Sequence, residues 1–129
     1  MKTDSNSGII TFCSAWSFDE TVKRIEAELG AKKIKLFARI DQAAEASAFG
    51  LALRPTVLLF FGDPKMGTPL MDSNPTLALD LPLKALIWES DSAQVYVGVT
   101  SPEFLQKRHS LSAPPFSGMV QMFGKLFGD

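Results

Sequence analysis

Thr56-Val57-Leu58-Leu59-Phe60-Phe61-Gly62-Asp63-Pro64-Lys65-Met66-Gly67-Thr68-Pro69 is the stretch from which the rest of the chain can be read. The unbroken apolar run Val57–Phe61 does not alternate as a half-exposed strand would, and it predicts a strand covered on both faces. The residues after it are dense in turn formers. They predict a rigid turn over Gly62–Thr68, with glycines supplying positive φ. Irregular backbone at the end of a buried strand is a common place for binding groups.

Upstream, Gly8–Ala15 predicts a strand with Ile10 and Phe12 on one face and Ile9, Thr11 and Cys13 on the other. Ser17 and Glu20 form a capping box at the start of a helix. Phe18, Val22, Ile25 and Leu29 give that helix one apolar stripe, and Gly30 is placed to close it in a left-handed conformation. Ile34–Ile40 alternates as a strand with one covered face, and Asp41 caps a short alanine-rich helix running to Phe49.

Downstream, Leu70–Leu81, punctuated by Pro75, predicts one helical turn and a loop. Leu83–Glu89 and Gln94–Val99 predict a hairpin joined by Ser90-Asp91-Ser92-Ala93. Ser101-Pro102-Glu103 opens a helix that runs to about His109. Phe116, Met119, Val120, Phe123, Leu126 and Phe127 fall at helical spacing in the tail. The tail is expected to dock on its own domain, and the alternative is a helix that binds a partner.

The element order predicts an α+β domain with a largely antiparallel sheet over residues 8–111, extended by an amphipathic helix over 112–129. Helices in such folds usually cover one sheet face. The doubly apolar central strand then needs a second cover, supplied by the C-terminal helix or by another subunit. A two-fold homodimer is the expected answer.

Composition narrows the function classes. At 129 residues the chain can bury roughly two-thirds of its unfolded surface in one domain. Thirteen basic and fourteen acidic residues leave a net charge of −1, which argues against a nucleic-acid partner. One cysteine, Cys13, excludes an intrachain disulfide and fits a reducing compartment. Met1–Ser7 is polar, so no signal peptide is expected, and no apolar stretch approaches the ~20 residues needed to span a bilayer. The expected setting is cytoplasmic, with no membrane partner.

Arg39-Ile40-Asp41-Gln42-Ala43-Ala44, Leu53-Arg54-Pro55-Thr56, Phe61–Met71, Asn74-Pro75, Leu79–Lys84 and Trp88-Glu89 together resemble the family known as domain of unknown function 302. The resemblance covers roughly Gly8 to Leu111. It implies a β-α-β4-α fold similar to half of the TATA-binding-protein fold, seen as homodimers, and it names no activity. Family members often carry a histidine where this chain has Gln42.

Several residues are candidates for chemistry. Gly62 and Gly67 have the glycine gap of a phosphate-binding loop, but the lysine that should follow the second glycine is missing and Pro69 removes an amide donor. A milder reading keeps a small anion or carboxylate on Lys65 and the amides around Gly67 and Thr68. Asp41, Asp80, Lys65 and Lys84 would join this loop to form a ligand-binding edge. Asp41 or Asp80 as base with Lys65 as electrostatic clamp gives an alternative acid–base enzyme. A further alternative is a purely structural interaction module. Cys13 and His109 are a weak nucleophile pair and too few ligands for a metal, so neither a metal nor a cofactor is expected. Trp16, Trp88, Tyr96 and Phe104 have only sparse neighbouring bases and are expected in the core or a dimer interface rather than in a base-stacking platform.

Overall fold

The computed structural model describes residues 1–128. Its strands are β1 (Lys2–Asp4), β2 (Ile9–Ser14), β3 (Lys35–Asp41), β4 (Thr56–Gly62), β5 (Leu83–Glu89) and β6 (Val95–Thr100). The helices are α1 (Phe18–Ala31), α2 (Gln42–Ser47), α3 (Pro64–Ser73), α4 (Pro102–Arg108) and α5 (Ser117–Phe127), with a 3-10 turn over Pro75–Asp80. The strands form one antiparallel six-stranded sheet in the order β1-β2-β6-β5-β4-β3. This is the α+β architecture expected of the sequence, with one added strand.

That strand, β1, lies in the polar N-terminus. It pairs Lys2 with Thr11 and Asp4 with Ile9, held by backbone bonding more than by apolar pattern. In the turn to β2 the Asp4 carboxylate accepts from the Asn6 amide at 3.0 Å and the Ser7 amide at 3.4 Å. These bonds, the Asn6 amide first, hold its carboxyl below the usual range. Gly8 follows with φ +73, and a Cβ there would run into the Phe104 ring.

Alternation along each strand sorts the sheet into two unlike faces. Ile10 and Phe12 of β2, Val57, Leu59 and Phe61 of β4, Ala85 and Ile87 of β5 and Val97 of β6 are buried on the inner face. Val22, Ile25 and Leu29 of α1, Leu105 of α4 and Met119, Met122 and Phe123 of α5 complete the same core. Half of the expected capping box forms at α1: Ser17 accepts from the Glu20 amide at 3.2 Å, while the Glu20 carboxylate accepts from Arg24 Nε at 3.0 Å. The end of α1 departs from expectation: Gly30 stays helical, Ala31 closes the helix, and Lys33 takes the left-handed conformation at φ 56.

The tail is not a separable extension. Phe123 is fully buried, and its ring lies 6.0 Å from those of Phe12 and Phe61. Helix α5 therefore occupies the same sheet face as α1, and the apolar stripe that might have met another protein is spent on the core.

Among the described residues nothing covers the outer face, which corrects the expectation that β4 is buried on both sides. Leu58 and Phe60 are only half-buried, and Leu86, paired with Leu58, is 36% exposed. Ile40 flanks Leu58, Trp88 stacks on Tyr96 at 4.8 Å, and Ile9 closes over Gly98. The result is an apolar band running from β3 to β2.

Candidate functional site

The segment after β4 is a helix where a turn was expected. Asp63 caps α3 by accepting the Lys65 amide at 3.0 Å, and Pro64 occupies the first helical position, where its missing N–H costs nothing. Asp-Pro is thus a helix start as well as a turn signal, and the helix carries Pro69 in its interior. Neither Gly62 nor Gly67 has positive φ. The Met66 and Gly67 amides both donate to the Asp63 carbonyl, at 3.0 and 2.9 Å, so they are not aimed outward to cradle an anion.

The N-terminal half of α3 does border a hollow. A cavity of about 650 Å³ lies between α3, the adjoining ends of β3, β4 and β5, and α5. Gly62, Asp63, Pro64, Met66, Gly67 and Thr68 form one wall. Phe61 and Leu83 reach it from the sheet, and Phe116, Met119 and Met122 form the facing wall. Phe37 and Met66, at 44% and 58% exposed, sit at its edge. The lining is largely apolar. Among the described residues its charged groups are Asp63, already engaged as a helix cap, and the two lysines Lys32 and Lys125.

Of the residues expected to form the ligand-binding edge, Gly67 and Thr68 line this cavity. Lys65 is exposed on the same helix and is not part of the lining. Lys84 lies on the outer sheet face, with its ammonium 5.9 Å from the Phe60 ring centre. Asp41 pairs with Val57 at the start of β4, the opposite end of that strand from Gly62, and its carboxylate accepts the Ala44 amide at 2.9 Å to cap α2. Asp80 receives His109 Nε2 at 2.6 Å and an Arg108 nitrogen at 3.4 Å. His109 Nδ1 lies 3.0 Å from the Thr76 hydroxyl. Only 3% of the His109 side chain is exposed, so the group fastens the end of α4 to the 3-10 turn. Asp41, Asp80 and Lys84 therefore do not converge on the loop, and Asp80 meets Arg108 and His109 in place of Lys65.

Cys13 is exposed on the outer sheet face, away from the Thr76–His109–Asp80 group. Trp16 carries the Arg24 guanidinium 4.1 Å above its ring, and Phe104 covers Gly8.

The residues that make the cavity, Phe37, Phe116, Met119, Met122, Lys32 and Lys125, escaped the sequence reading because they come from segments distant in the chain. One signal was present. Four of the five methionines, Met66, Met71, Met119 and Met122, fall in two helices and all line this one space.

Residues 10–121 match the model of a protein family described as domain of unknown function DUF302. The match runs past Leu111 into α5. Among curated proteins, the chain is 42% identical over 111 residues to Fluoride-specific ion channel FluC 1 of Brucella suis biovar 1 (strain 1330), covering 86% of this chain and 44% of that protein. It is equally similar, at 42% over 111 residues, to Fluoride-specific ion channel FluC 2 of Brucella melitensis biotype 1, of which 41% is covered. The chain spans less than half the length of these curated relatives. Among solved structures, the crystal structure of an uncharacterized conserved protein DUF302 from Bacillus stearothermophilus superposes with a TM-score of 0.77. That match has 15% identity and covers 94% of this chain and 96% of the other, so it speaks for the fold alone.

Proposed function

We propose that this chain, which belongs to the DUF302 family, is a binding domain that pairs with a second copy through its bare sheet face and holds a small apolar ligand between α3 and α5. The observation that carries the ligand reading is the cavity itself. Its volume of about 650 Å³ falls within the range of small-molecule sites, and its walls are mostly aliphatic, thioether and aromatic. The pairing rests on the outer band of Leu58, Leu86, Trp88 and Tyr96, because apolar patches of this kind mark association surfaces.

The neutral fluorescent probe N-phenyl-1-naphthylamine tests the cavity. It is expected to bind saturably, with one site per chain. Gly118→Phe should abolish that binding, because Gly118 lines the cavity and a side chain there would meet open space. Binding unchanged in the variant, or no binding to the parent chain, would reject the reading.

A second reading concerns a partner. The matched relatives are named as fluoride-specific ion channels, yet this chain spans less than half of them and no helix among the described residues is long and apolar enough to cross a membrane. On this reading the domain is the non-spanning companion of such a channel. Adding the purified chain to liposomes that hold a fluoride channel should change fluoride flux in a dose-dependent way, and unaltered flux would dismiss it.

A further inference from the structure

We infer that the cavity takes a single-chain amphiphile carrying one negative charge, an alkyl carboxylate, with the tail inside and the head at Lys125 and Lys32. The inference rests on the cavity reading and adds the chemistry of its occupant.

The tail follows from the walls. Thioether side chains are unbranched and flexible, so a wall built from Met66, Met71, Met119 and Met122 deforms around a flexible apolar chain more readily than it selects one rigid ring. Nothing among the described lining residues offers the fixed array of donors and acceptors that a sugar or nucleotide would require. The polar contributions are Thr68, Gln121 and the three charged residues.

The head follows from the charge balance. Among the described residues Asp63 is the lining's one acid, and its carboxylate is committed to the start of α3. Lys32 shares Glu28 at 3.5 Å in a half-exposed pair, which is a weak commitment. Lys125 has no ion-pair partner among the described residues. It lies four residues after Gln121 on α5, so the two side chains share one helix face. Among the described residues, two lysines and one engaged acid leave a net positive lining on a largely apolar space, which complements an anion with a long apolar body.

Competition against N-phenyl-1-naphthylamine, with decanoate, decanol and decyltrimethylammonium each below its micelle concentration at pH 8, tests the inference. Decanoate should displace the probe about tenfold more tightly than decanol, and the cation should bind most weakly. Lengthening the carboxylate from octanoate to decanoate should tighten binding by about fourfold per methylene. The double variant Lys32→Met and Lys125→Met should still bind the probe but bring decanoate down to the affinity of decanol. Equal binding of decanoate and decanol to the parent chain would overturn the anionic head while the cavity reading stands. Failure of the probe itself to bind would remove both.

Discussion

The rings of Phe12 and Phe123 stack 6.0 Å apart at an interplanar angle of 28°, joining the first core strand to the last helix. Both side chains are fully buried. Phe123→Ala removes a ring that also meets Phe61 and Phe127, leaving a void that neighbouring β-strands cannot close. It should cost about 3 to 5 kcal/mol in urea unfolding with little change in m-value. A cost under about 1 kcal/mol would mean that α5 is an appendage after all.

Glycines in two different settings should respond in opposite directions. Gly67 lies in α3 without positive φ, and an added Cβ would meet Leu81 and Met71 at ordinary contact distances of 3.7 and 3.8 Å. Gly67→Ala should therefore leave stability unchanged or raise it by up to about 1 kcal/mol. Gly8 combines a left-handed φ of +73 with the Phe104 ring against its α-carbon. Gly8→Ala should cost roughly 2 to 4 kcal/mol. Thermal melts of the two variants decide the point, and a destabilised Gly67→Ala would restore the strained turn that the sequence suggested.

The bare sheet face makes a prediction about mass. Leu86 sits near the middle of the outer band, between Leu58 and Gly98, and contributes nothing to the inner core. Leu86→Asp should convert a two-fold dimer to a monomer in light scattering while the circular dichroism spectrum stays the same. A parent chain that is monomeric at every concentration would remove the pairing.

Much of the fold was legible because local signals agreed with long-range packing. Ser17 and Glu20, the stripe from Phe18 to Leu29, and the alternation of β5 and β6 each had a single good solution. The errors have specific causes. Asp63-Pro64 is shared by turns and helix starts, and burial of Gly67 against Leu81 and Met71 decided for the helix. Strand β1 has no apolar residue in Lys2–Asp4, so only its backbone pairing reveals it. The site was legible on one wall alone. Gly67 and Thr68 were found because they follow a conspicuous strand, but the other wall is contributed by α5, more than forty positions later in the chain. Charges invited grouping into a site, whereas Asp41 caps α2 locally and Asp80 ties the 3-10 turn to the distant end of α4.

The strand order also sets a timetable for biosynthesis. Ile9 is matched to Thr100 and Ser14 to Val95, so the first core strand waits for the last one before gaining a neighbour toward the centre of the sheet. A ribosome that has released only the first ninety residues presents Ile10 and Phe12 with nothing but the short β1 to pair with. The meander from β3 to β5 can form earlier, from contacts close in sequence. Closure of the sheet then depends on the final third of the polypeptide. Stalled or prematurely ended chains would expose the apolar side of β2 to chaperones and proteases.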